Sequence, residues 1–200
     1  MSAKVPLIAA CEEGLRIPGL TMNNDWIGKA EERQLFKQVD GGNWRNDLKR
    51  RVQHYGFRYD YRARSVLPGD HLGPLPGWLA VLAGRLVDKG VFSTVPDQVI
   101  VNEYLAGQGI SAHIDCVPCF GDTIAILSLG CSVVMTFQCA ATGARREMTL
   151  PTCSLLRLSG PARYDWLHGI PARKSDMIDG MKTQRLRRVS LTFRSVIIGA

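Results

Sequence analysis

The chain predicts an α+β fold, with helices packed on an antiparallel sheet or on a double-sheet jelly roll. Two observations carry this. Helical periodicity is confined to the first half, and after residue 95 short β-branched and apolar runs separated by turn residues replace it. With 200 residues, 46% of them apolar and 22% charged, the chain has the size of one domain with a substantial core. No internal repeat, low-complexity tract or long linker divides it.

The elements follow in order. The opening MSAKVPLIAACEEG holds an apolar run too short for a signal-peptide core, and acidic residues follow at once. No window approaches the roughly 18 apolar residues of a membrane span. These features predict a soluble, cytoplasmic protein with no membrane contact. NNDWIGKAEERQLFKQVDGG predicts a helix with Asn24 or Asp25 as its cap, apolar Ile27, Leu35, Phe36 and Val39, and a stop at Gly41-Gly42. LPGWLAVLAGRLVDKG predicts a second, with Leu79, Leu82, Ala83 and Leu86 on one face and Gly90 as the stop. Strands follow: QVIVNEYL, then TIAILSLGCSVVMTFQ as two strands hinged at Gly130, then SLLRLSG, then the alternating RRVSLTFRSVII.

Net charge is +7, which fits a polyanionic partner such as nucleic acid. Part of that charge is concentrated. Residues 43 to 65, NWRNDLKRRVQHYGFRYDYRARS, hold eight basic residues counting His54, interleaved with Trp44, Tyr55, Phe57, Tyr59 and Tyr61. Aromatic rings stack on bases while Arg and Lys follow phosphates. Arg58 and Arg62 alternate with Tyr59 and Tyr61 as in an edge hairpin. The six cysteines, 11, 116, 119, 131, 139 and 153, lack the density of a secreted disulfide scaffold, and most are read as reduced. Cys116 and Cys119 have no partner pair at zinc-site spacing. They are either two thiols in a loop or a transient disulfide.

The sharpest signal is ISAHIDCVPC, residues 110 to 119. Two histidines and one carboxylate on one face suit iron(II) and leave open positions for co-substrates. Strand residues two apart point the same way, so His113 and Asp115 can share one metal. The chain has four histidines, 54, 71, 113 and 168. His168, in RYDWLHGIP, is the best candidate for the third ligand.

The segments NEYLAGQGISAHID, LSLG, GPARYDWLHGI and RRVSLTFR occur in this order, and together they resemble the AlkB family of iron(II)- and 2-oxoglutarate-dependent dioxygenases. The resemblance implies one domain over 1–200: a double-stranded β-helix (jelly roll) core over 96–200, with helices and a nucleotide-recognition lid in 1–95. It implies His113, Asp115 and His168 as iron ligands. Asn102 and Tyr104 match side chains that hold 2-oxoglutarate, and Arg188 and Arg194 the arginines that bind its carboxylates. Strand geometry agrees, because positions 188, 190, 192 and 194 share one face while Val189, Leu191 and Phe193 share the other. Six residues separate the two arginines by about 20 Å, so they suit opposite ends of a dicarboxylic acid. Ser190 stands where some family members carry Asn, which loosens one polar contact to the co-substrate. Arg163 matches a recurring arginine of the site architecture or the substrate pocket.

The implied cofactor is Fe(II), with 2-oxoglutarate and O2 as co-substrates. The implied reaction couples decarboxylation of 2-oxoglutarate to succinate with hydroxylation of a C–H bond; on an N-methyl group this releases formaldehyde and restores the base. Tyr55, Arg58, Tyr59 and Tyr61 fall in the lid and are candidate substrate contacts. So is Val117, which occupies a position that is acidic in the better-known repair enzymes. The local sequence looks closer to the AlkB-type domain of the eukaryotic tRNA wobble-uridine hydroxylase. The expectation is demethylation of 1-methyladenine and 3-methylcytosine in single-stranded DNA or RNA by a monomer. The alternative is hydroxylation of a modified wobble uridine in tRNA, and a lesser one is a non-catalytic nucleic-acid-binding module.

Overall fold

The long apolar strands read from the sequence pair with one another and set the architecture. The computed structural model describes residues 16–46 and 48–198, so the opening apolar run and Cys11 lie outside the described residues. In chain order the elements are β1 (Leu20–Asn23), α1 (Lys29–Asp40), β2 (Val52–Tyr55), α2 (Gly77–Asp88), β3 (Gln98–Tyr104), β4 (Ile110–His113), β5 (Thr123–Gly130), β6 (Val133–Cys139), β7 (Arg145–Leu150), β8 (Leu155–Ser159), α3 (Gly160–Tyr164), β9 (Trp166–Ile170), β10 (Ser175–Ile178), β11 (Met181–Gln184) and β12 (Arg188–Arg194). They form a six-stranded sheet in the order β1-β8-β5-β12-β3-β2, a four-stranded sheet in the order β4-β9-β6-β7, and a hairpin of β10 and β11. Every pairing is antiparallel. This is a jelly roll, as expected. Its edges come from the first part of the chain, since β1 and β2 flank the larger sheet.

Period-two alternation divides the larger sheet into two faces. Val99, Val101, Ala125, Leu127, Val189, Leu191 and Phe193 pack on one face against Leu35 and Val39 of α1 and Leu79, Leu82, Ala83 and Leu86 of α2. The opposite face looks toward the smaller sheet. There Ile124, Ile126, Leu156 and Leu158 join Met135, Phe137, Trp166 and Ile170 in a second core. With both faces covered, β3 and β12 are buried along their whole length. Each fully buried aliphatic side chain contributes about 1.5–3 kcal/mol. The hinge at Gly130 is required by space as well as by φ (+84°): a Cβ there would lie 2.5 Å from the Arg187 carbonyl oxygen. Its N–H donates to the Glu32 carboxylate at 2.8 Å, which ties α1 to the turn.

Two expectations change and one open alternative closes. The first helix starts at Lys29, with Gly28 as its cap, rather than after Asn24 or Asp25. Asn23 takes the Asp25 N–H in a tight turn, and the N–H groups of Trp26 and Ile27 go to the Cys153 carbonyl, so residues 24–27 are held outside the helix. The basic aromatic segment is no simple hairpin. It contributes β2, turns at Gly56, and folds back through bridges Phe57–His71 and Asp60–Ser65. The alternative left open for Cys116 and Cys119 resolves as a disulfide. A turn closed by the Cys119 N–H on the Cys116 carbonyl brings them together. Cys131 and Cys153 are free. Among the described residues no helix is long and apolar enough to cross a membrane.

Candidate active site

The smaller sheet carries the metal-ligand vocabulary. β4 pairs with β9 so that His113 lies directly opposite His168, with ring centroids 4.6 Å apart. The strands come this close because residue 169 is glycine: a Cβ there would meet the Ala112 backbone at 2.8–2.9 Å. β4 ends at His113, and Asp115 follows just beyond the strand with Oδ1 3.8 Å from His113 Nε2. One ligand atom from each of His113, Asp115 and His168 fits within 4.8 Å of the others.

Their protonation states suit a cation. His113 Nδ1 donates to the Ser111 carbonyl at 2.8 Å, so Nε2 is the ring nitrogen left for the cluster. Burial pushes the His168 imidazole down to about 4, so it is neutral at physiological pH. Burial alone would raise the Asp115 carboxyl. The Arg194 guanidinium, with His168 and His113, outweighs burial and holds it well below the usual carboxylate range. Arg194 Nη2 donates to Asp115 Oδ1 at 2.9 Å, and its Nη1 to Gln98 Oε1 at 3.2 Å. Asp115 Oδ2 and His168 Nδ1 are buried with no hydrogen-bond partner among the described residues. Two imidazoles, that of His168 neutral, beside an ionised carboxylate with a free oxygen fit a divalent iron.

The cluster opens into a cavity of about 490 Å³ between the two sheets. Its other wall is the inner face of β3 and β12, whose register sets Asn102 opposite Ser190 and Tyr104 opposite Arg188. Arg188 is buried, with its guanidinium carbon 5.4 Å from the Tyr104 ring centroid. Its Nη2 donates to Ser128 Oγ at 3.0 Å, while Nε and Nη1 have no partner among the described residues. Buried donors left open in this way fit an anionic ligand, and the free donors of Arg188 lie at the opposite end of β12 from the metal cluster. The two arginines therefore differ: Arg194 is engaged with a metal-ligand candidate, and Arg188 keeps its donors.

The proposed substrate contacts divide. Tyr59 and Tyr61 line the cavity, edge to face with 5.1 Å between centroids, together with Lys49, Arg50 and Arg64. Tyr55 points the other way, with Trp78 and Gln53 on the helix side, because residues 53 and 55 share the outer face of β2. Arg58 is paired with Asp70 at 2.6 Å. Val117 is exposed and outside the cavity lining. Arg163 is buried and donates to the carbonyls of Asp115, Cys116, Phe120 and Gly121, so it pins the backbone of the loop that carries Asp115. Cys116 of the disulfide is part of the cavity wall. Sequence reasoning missed Gln98, although it shares strand parity with Asn102 and Tyr104. It also missed Arg50, which sits in a basic run with no periodicity to single it out.

Residues 30–194 match the sequence profile of the 2OG-Fe(II) oxygenase superfamily. The Alkylated DNA repair protein ALKBH8 homolog of Arabidopsis thaliana is 37% identical over 94% of this chain. The tRNA (carboxymethyluridine(34)-5-O)-methyltransferase ALKBH8 of Mus musculus is 35% identical over 90% of it. The chain spans 61% of the length of the first and 30% of the second. Among solved structures, that of OsALKBH1 superposes with a TM-score of 0.68 at 16% identity, covering 89% of this chain and 97% of the other.

Proposed function

Because the chain belongs to the 2OG-Fe(II) oxygenase superfamily, and within it to the AlkB family, we propose that it oxidises a C–H bond on a modified base in nucleic acid. It is a dioxygenase that uses Fe(II), 2-oxoglutarate and O2. When bound, these couple decarboxylation of 2-oxoglutarate to succinate with hydroxylation of the substrate. In this reading His113, Asp115 and His168 hold the iron. Asn102, Tyr104, Arg188 and Ser190 take 2-oxoglutarate, and Arg194 orients Asp115 at the iron end of the site. Tyr59 and Tyr61 stack the base, and Lys49 and Arg64 meet its phosphates.

The observation that supports the reaction is the convergence of the His–Asp–His cluster and the open Arg188 donors on one cavity. The lining also bears on the substrate. 1-Methyladenine and 3-methylcytosine are positively charged near neutral pH. Among the described residues that line the cavity the single carboxylate is Asp115, already committed to the metal, while Lys49, Arg50 and Arg64 add positive charge. A cationic base meets repulsion there, and an uncharged one does not. We therefore favour hydroxylation of a modified uridine side chain in tRNA over demethylation of the two cationic bases. The methylated bases remain the second reading, supported by the stacking pair and by the repair name of the Arabidopsis thaliana relative.

Mass spectrometry separates them. Protein with Fe(II), 2-oxoglutarate and ascorbate is incubated with tRNA anticodon fragments and with methylated DNA and RNA oligonucleotides. Gain of one oxygen on the uridine is expected, with His113→Ala inactive. Loss of a methyl group from 1-methyladenine with unmodified uridine would reverse the preference. Turnover by His113→Ala would sink the site assignment.

A further inference from the structure

Arg50 lies in the segment leading into β2 and reaches the cavity beside two of the side chains assigned above to the co-substrate. Its Nε donates to Asn102 Oδ1 at 2.9 Å. Its guanidinium carbon is 5.7 Å from the Tyr104 ring centroid, and that of Arg188 is 5.4 Å from the same ring. Two guanidinium groups, from distant parts of the chain, therefore converge on one tyrosine in one cavity.

The hydrogen bond has a chemical consequence. A guanidinium can only donate, so the atom of the Asn102 amide that faces it is the oxygen. The amide nitrogen of Asn102 is then left as a pair of donors for another acceptor. Arg50 thus resolves the orientation of a side chain that could otherwise turn either way. Position along the sheet indicates which acceptor. Arg194 marks the metal end of β12, through Asp115, and Arg188 the far end. Tyr104 stands opposite Arg188, and Asn102 opposite Ser190. Arg50 therefore sits over the far half of the co-substrate site. The β12 side chain there, Ser190, is a short hydroxyl with one donor.

We propose that Arg50 is a second co-substrate arginine, beside Arg188. It sets the Asn102 amide and, with Arg188, holds the carboxylate of 2-oxoglutarate that lies away from the iron. It supplies the donor capacity that the short Ser190 side chain lacks. This rests on the reading of the cavity wall as the 2-oxoglutarate site.

The test is calorimetric titration under anaerobic conditions, with the Fe(II)-loaded 200-residue protein and no nucleic acid. The probes are 2-oxoglutarate and 2-oxopentanoate, which has the same backbone without the far carboxylate. Arg50→Met is expected to weaken 2-oxoglutarate about tenfold, the scale of one charge-assisted hydrogen bond, and to leave 2-oxopentanoate unchanged. Arg50→Lys should recover part of the loss, because an ammonium can still donate to Asn102 Oδ1. In turnover the loss should appear in KM for 2-oxoglutarate with kcat little altered. Arg188→Met is the control for the site itself. If Arg188→Met weakens 2-oxoglutarate and Arg50→Met does not, the Arg50 assignment is wrong and the site stands. If neither variant alters binding, the site reading has failed. Equal weakening of both probes by Arg50→Met would overturn the carboxylate contact, since a general disturbance of the wall does not discriminate between them.

Discussion

A single guanidinium fixes the geometry of the metal cluster. Arg194 is nearly buried and bonds Asp115 Oδ1, so the carboxylate keeps one oxygen pointed at the cluster and carries its charge there. Outer partners of this kind typically support metal affinity by 10- to 100-fold. Arg194→Gln should lower Fe(II) affinity on that scale, measured by metal titration with folding followed by circular dichroism. Unchanged affinity would mean that the Arg163 contacts to the loop backbone suffice to hold Asp115. This scale was also the most readable one. His113 and Asp115 share one short motif, and His168 could be chosen from four histidines because it follows a predicted strand and precedes a turn. Tyr55 lies away from the cavity for a simple reason. It shares strand parity with Gln53 and faces the helices, while Tyr59 and Tyr61 come after the turn at Gly56 and face the cavity.

Among the elements, the β10–β11 hairpin shows how little a short polar segment reveals. SDMI and MKTQ have neither the length nor the apolar alternation of β3 or β12, and no strand was predicted there; β1 and β7 escaped for the same reason. The hairpin is anchored instead by Asp176, whose side chain is 1% exposed. Asp176 accepts from Arg185 at 2.6 and 2.8 Å, from Arg173 at 2.6 Å and from the Val134 N–H at 3.2 Å. Burial alone would raise its carboxyl, but these bonds prevail and hold it below the ordinary value. A depressed folded value contributes stability above the unfolded value, and that stability is lost as pH falls through the folded one. Urea melts should therefore show stability declining below about pH 4. Asp176→Asn should cost about 3 kcal/mol at neutral pH, by leaving Arg185 buried without its counter-charge, and should flatten the acid decline. A mutant as stable as the parent at neutral pH would remove Asp176 as the anchor.

Across the whole molecule, two cores share one sheet, and only one of them borders the chemistry. Leu79 is fully buried in the helix-side core. Leu79→Ala should cost about 2–5 kcal/mol in denaturant melts and leave the 2-oxoglutarate affinity of the folded protein unchanged. A large loss of affinity would instead show that the helix layer sets the inner face of the sheet. The jelly roll was legible as a class because strands with both faces covered must be apolar throughout. Strand order was not, because pairing partners far apart in sequence leave no local trace. One such placement bears on biosynthesis. β12 is the last strand among the described residues and lies between β5 and β3, in the middle of the six-stranded sheet. On a ribosome the earlier strands must wait as two separate ribbons with bare edges, a state open to misassociation, until residue 194 has emerged. The same strand delivers Arg188 and Arg194, so completion of the sheet and arrival of these two arginines at the cavity are a single event.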